Sequence, residues 1–163
     1  MAYNTKLIKT EKCYVNDLKV KIQLYEFYDN VEGKTMYFAK TDYKNITAIN
    51  DSIKKTLNDC KEKIKAKEIM LNKKCYSDRE GLNIAQEKFY EHFKNRKISK
   101  AVSDRLSYSW GRDVNILTIS VLYNSENEIK VDGKKTFPQI MVTIVVDLIS
   151  GECTIYESDK IKW

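Results

Sequence analysis

Proline and histidine occur once each in this chain of 163 residues, and glycine only five times. With Pro138 as the only proline and no Ser/Gly/Pro-rich stretch, nothing in the sequence reads as a linker, so one domain spanning residues 1–163 is expected. That length buries a core without help from disulfides or metal. No internal repeat or low-complexity segment is present. Long apolar runs are missing too: the uncharged apolar stretch Pro138–Val146 has nine residues, whereas a membrane span needs about 20. The first residues, MAYNTKLIKTEK, hold no apolar core of a signal peptide. The expectation is a soluble, cytoplasmic protein without membrane contact.

The single histidine, His92, has no plausible nucleophile partner, which leaves Ser/His and Cys/His catalysis unsupported, and its place near Phe89 and Phe93 suits a structural helix residue. The four cysteines, Cys13, Cys60, Cys75 and Cys153, form no C-x-x-C pair, so a zinc site has no support and reduced, mostly buried thiols are expected. No phosphate-binding loop, dinucleotide fingerprint, nucleophile elbow or H-E-x-x-H occurs. No cofactor and no catalytic residue is therefore assigned. Arginine is scarce as well, 4 residues against 25 lysines. A chain rich in Lys, Asn, Ile and Tyr points to an AT-rich coding genome, which weakens any inference from its basic isoelectric point.

What is present is a clear sequence of periodicities. LKVKIQLYEF (18–27) alternates Leu18, Val20, Ile22 and Leu24 with Lys19, Lys21 and Gln23, the pattern of a strand with one buried face. The turn VND (15–17) precedes it, which makes Lys6–Tyr14 its antiparallel partner. DNVEGK (29–34) turns the chain into a third strand, 35–41. Ile46, Ile49, Ile53, Leu57, Cys60 and Ile64 recur at helical spacing and predict a helix over about 46–70. Ser77 and Glu80 form a capping box for a second helix, continued by Leu82, Ala85, Phe89 and Phe93. Ile98, Val102 and Leu106 fit a short third helix. VNILTISVLY (114–123) is apolar on both faces, as a central strand would be. The Asp132-Gly133 turn and the ISG turn (149–151) then mark hairpins. Strands on both sides of a helical block predict an α+β domain: one antiparallel sheet of about five to six strands, order β-β-β-α-α-β-β-β, with the helices on one face.

Charge follows this division. Residues 47–107 carry 12 Lys and 3 Arg against 9 acids, while residues 108–163 carry 5 Lys and 1 Arg against 8 acids. Within the helical block Lys65, Lys67, Lys73 and Lys74 lie close in sequence and are candidates for contact with phosphates or an acidic protein. Arginine, the usual reader of guanine edges, is not among them. A second candidate is SYSWGRD (107–113), in which Tyr108, Trp110 and Arg112 alternate as a strand would present them on one face. Aromatic residues and arginine are favoured at interfaces; the competing role is a tryptophan that closes the end of the core. A third pattern joins Asp113 to Glu128 and Lys130, an Asp followed by E-x-K, as many metal-dependent nucleases arrange carboxylates and a lysine about Mg²⁺. A polar strand edge is the plainer assignment for these three.

The expectation drawn from these patterns is a small, non-enzymatic binding protein that occupies the surface of a protein partner, in the manner of a phage or mobile-element inhibitor of a host defence system. The alternatives are a nucleic-acid-binding module using the basic helices and a Mg²⁺-dependent nuclease. Sheet edges left at two strand-rich ends also admit a homo-oligomer.

Overall fold

A computed structural model describes residues 4–93, 107–124, 129–136 and 139–158. The protein is α+β. It divides into two compact units, Met1–Lys73 and Lys74–Trp163, each built on a four-stranded antiparallel sheet with one described helix. The expected class is thus present, with the strands shared between two sheets in place of one.

The first unit is a meander, β1 (Lys6–Val15), β2 (Leu18–Asp29), β3 (Lys34–Thr41) and β4 (Thr47–Asn50), followed by α1 (Ile53–Asn72). Asn16 and Asp17 both adopt left-handed backbone, with φ of 47° and 67°. A two-residue turn of that hand matches the twist of the strands it joins, and Asn and Asp tolerate it best after glycine. It fixes the register in which Val20, Ile22 and Leu24 all face inward. They pack with Ala39 and Ala48 against Leu57, Cys60 and Ile64 of α1.

The helix begins seven residues later than its apolar spacing predicted. Ser52 caps it, its hydroxyl accepting a hydrogen bond from the Lys55 N–H at 3.1 Å. The residues before it form β4, in which Ala48 faces the core and Ile49 faces solvent. A step of three between Ile46 and Ile49 is helical on paper, but strand alternation sends the two side chains apart. Asp51 and Lys55 do meet as an i,i+4 pair at 3.5 Å.

The second unit opens with α2 (Asp78–Phe93), capped as expected by the Ser77 hydroxyl, which accepts from the Glu80 N–H at 3.1 Å. There follow β5 (Ser107–Asp113), β6 (Ile116–Asn124), the small hairpin β7 (Ile129–Val131) and β8 (Lys134–Thr136), then β9 (Gln139–Asp147) and β10 (Cys153–Ser158). The main sheet has the order β10-β9-β6-β5. Strand β6 is central, as its two-sided apolar sequence required. Leu117, Ile119 and Val121 of β6 and Val142, Ile144 and Val146 of β9 form the core with Ala85 and Phe89 of α2. Asp132 and Gly133 take left-handed backbone in the β7–β8 turn, the conformation their pairing predicted. The third helix expected at Ile98–Leu106 lies outside the described residues.

At the end of β9, Asp147 holds the β9–β10 turn. Burial pushes its carboxyl up, but hydrogen bonds from the Asn115 amide, the Ile149 N–H and Ser150 outweigh this and hold it below the usual carboxylate range. A group depressed in the folded state adds stability above its unfolded value, about 3.9, which is lost as pH falls through the folded value. Acid unfolding should therefore begin below about pH 4, and Asp147→Asn should flatten that part of the curve. An unchanged acid limb would show that Asp147 is not the group responsible.

Candidate partner-binding surface on the second unit

Strand β5 pairs with β6 so that Tyr108 lies opposite Val121, Trp110 opposite Ile119 and Arg112 opposite Leu117. Those three partners are core residues, so β5 carries Tyr108, Trp110 and Arg112 on the face that α2 covers elsewhere. Helix α2 packs on β6, β9 and β10, and β5 lies beyond them. The aromatic residues there stay open: Tyr108 is 67% exposed and Trp110 is 46% exposed. Trp110 belongs to neither core cluster. Gly111 sits in the ladder opposite Thr118, with open space where a side chain would be.

Between this strand and the helix lies a pocket of about 460 Å³. Its floor is core: Leu82, Ala85, Phe89, Ile119, Val121 and Ile144. Its rim is polar, with Arg79, Asn83, Gln86 and Tyr90 from α2 and Tyr108 from β5. A second anchor ties strand to helix, since Arg112 Nη1 lies 3.2 Å from Asp78 Oδ1 at the first turn of α2. Both partners are partly exposed, so the pair adds at most about 1 kcal/mol, but it holds the guanidinium at the end of the aromatic row. An apolar floor with convergent polar groups at the mouth is the usual build of a site that takes one side chain or small apolar group and orients it.

Sequence reasoning had singled out Tyr108, Trp110 and Arg112 and had missed the rim of the pocket. A signal was available: Arg79, Asn83, Gln86 and Tyr90 are spaced 4, 3 and 4, a polar stripe running beside Leu82, Ala85 and Phe89.

The other candidates are scattered. Lys65 and Lys67 are on α1 of the first unit, and two residues apart on a helix they point about 200° apart. Lys65 pairs with Glu62 at 3.1 Å, Lys61 with Glu11 at 3.3 Å, and Lys63 donates to the Thr47 carbonyl at 3.0 Å. Lys73 ends the first unit and Lys74 begins the second. Lys65, Lys67 and Lys73 thus belong to the first unit, and Lys74 and the β5 aromatics to the second. Asp113 ends β5 at the β5–β6 turn, whereas Lys130 is on β7, reached only after β6 has run about 26 Å from Ile116 to Asn124. Lys130 is not on the strand beside Asp113, and Glu128 lies outside the described residues. No cluster of three or more His, Cys, Asp or Glu that could hold a metal ion occurs among the described residues.

His92, in the last turn of α2, approaches Glu157 of β10 at 3.7 Å. All four cysteines are unpaired by disulfide; Cys60 is buried and the others are half-buried. Burial pushes the Cys60 thiol up to about 11, which keeps it in the unreactive protonated form. Among the described residues no helix is long and apolar enough to cross a membrane. No family model, curated protein or solved structure matches the chain.

Proposed function

We propose that this is a binding protein that acts by occupying the surface of a protein partner, with Tyr108, Trp110 and Arg112 on β5 and the adjoining α2 pocket as its contact surface. The observation that carries the reading is the extension of a core face past its helix: two large aromatic side chains stay open to solvent beside a pocket floored by the core. Tyr, Trp and Arg dominate the energetics of protein interfaces because they bury much area at little entropic cost and keep a polar handle. A partner would place an aliphatic or aromatic side chain on Leu82, Phe89 and Ile144 and meet the polar rim with its backbone. Blocking a partner's own surface, as a stoichiometric inhibitor does, is an action that needs no more than this.

The test is a photo-crosslinking residue in place of Tyr108, activated in the native cell with and without nuclease treatment of the lysate. A nuclease-resistant adduct with one protein, competed by the unlabelled chain and reproduced with that protein purified, is expected. An adduct that disappears on nuclease treatment would overturn the reading.

A further inference from the structure

The sheet of the first unit has one face on α1, and its other face carries an unusual set of side chains. The register aligns Leu7 with Tyr25, Tyr25 with Phe38 and Phe38 with Ile49, a single apolar row across all four strands. Since Leu24 and Ala39 point into the core, this row points away from it. Phe27 and Met36 form the next row. Tyr25 and Phe38 are half-buried, with ring centroids 6.2 Å apart, and Ile49 is 56% exposed. A solvated antiparallel face is ordinarily polar, and contiguous apolar surface marks a place of contact.

The lower half of the same face is basic. Lys12 lies opposite Lys21, an arrangement of like charges that weakens a sheet unless something else meets them. Lys19 and Lys40 share the face, and all four lysines are exposed. Among the described residues none of the four forms a salt bridge. Asp42 Oδ1, beside Lys21, accepts from the Lys21 N–H at 3.0 Å. The face thus presents flat aromatic rings next to four exposed lysines that form no salt bridge among the described residues.

A second copy of the same face would add four more lysines to these four. A duplex hides the flat faces of its bases from such a surface. Unpaired bases and a phosphate backbone satisfy both halves at once, because stacking on exposed rings and tracking by cations is how single strands are held without sequence readout. We propose that the open face of the β1–β4 sheet binds single-stranded nucleic acid, with bases on Tyr25 and Phe38 and phosphates on Lys12, Lys19, Lys21 and Lys40. This site is independent of the partner surface on the second unit.

The test is fluorescence anisotropy of the full chain with labelled 12-nucleotide oligothymidine and oligouridine over a salt series. Each phosphate contact on a single strand contributes about −0.7 to the slope of log K against log salt. Lys19→Gln, Lys21→Gln and Lys40→Gln together should reduce that slope by about 2. Tyr25→Leu with Phe38→Leu, which keeps apolar bulk but removes the rings, should weaken binding about tenfold or more. The charge-matched triple change Lys54→Gln, Lys55→Gln and Lys88→Gln, on helices, should leave the slope within experimental error. Circular dichroism of every variant confirms folding, and comparison of the two oligonucleotides shows whether DNA or RNA is preferred. The proposal is overturned if neither oligonucleotide binds at 50 mM salt, if duplex competes as well as single strand, or if the helical variant has the larger effect. It is equally overturned if the chain dimerises through this face, so that the Tyr25/Phe38 variant becomes monomeric while oligonucleotide binding does not change.

Discussion

Trp110→Ala is expected to weaken binding of the protein partner by about thirtyfold and to leave thermal unfolding within a few degrees of the wild type. The first figure follows from the roughly 2 kcal/mol or more that truncating an interface aromatic costs. The second follows from exposure: Trp110 is 46% exposed and lies outside both cores, so its loss leaves no cavity of the kind that costs roughly 3–5 kcal/mol when a core tryptophan is removed. Tyr108→Ala should behave alike, since Tyr108 is the more exposed of the two and also lines the pocket. Arg112→Ala removes an exposed ion pair with Asp78, worth at most about 1 kcal/mol of stability, and its larger effect should be on binding. Calorimetric melting and titration with the purified partner separate the possibilities. A drop in melting temperature that parallels the loss of binding for Trp110→Ala would mean that this strand seals the core and makes no contact of its own.

How far the site could be seen in advance depended on which physical scale sets each feature. Alternation in β2 is local, and Leu18–Leu24 against Lys19–Gln23 placed that strand and its buried face correctly. The same strand held the signal for its open face, because the alternation stops at Tyr25 and Phe27, where outward positions become aromatic. That break is invisible as a surface until register sets Phe38 and Ile49 beside Tyr25. The second helix was legible from Ser77 and Glu80, since capping is also local. The start of the first was not, because Ile46 and Ile49 fit helical spacing while strand pairing with β3 decided otherwise. The number of sheets was beyond reach of periodicity: it depends on non-local pairing, here two four-stranded sheets, each with one described helix. The exposure of Trp110 lies on that scale too. It depends on which strands of the β10-β9-β6-β5 sheet α2 packs on, and these are β6, β9 and β10.

At Gly81 that helix leaves no room for a side chain, and Gly81→Ala is expected to destabilise the protein by about 1–3 kcal/mol, the usual cost of overpacking a well-filled core. At an exposed helical position the same change would add about 1 kcal/mol of stability, because alanine is the better helix former. Here a Cβ would stand 2.6 Å from Leu148 Cδ2 and 2.8 Å from Leu117 Cδ2. Both leucines are fully buried at 0% exposure, so their methyl groups have little free space to move into, and α2 must lift from the sheet. Lifting the helix displaces Leu82, Ala85 and Phe89, the floor of the pocket, so partner binding should weaken along with stability. Leu148→Val, which removes one methylene at a cost of about 0.8 kcal/mol, should make room for the added methyl group. The double variant should then be more stable than the sum of the two single effects predicts, with a coupling of about 0.5 kcal/mol or more. Denaturant unfolding of the four proteins measures this cycle. Additive effects, or a Gly81→Ala variant more stable than the wild type, would show that the helix has room over the sheet and that glycine is not what seats it there.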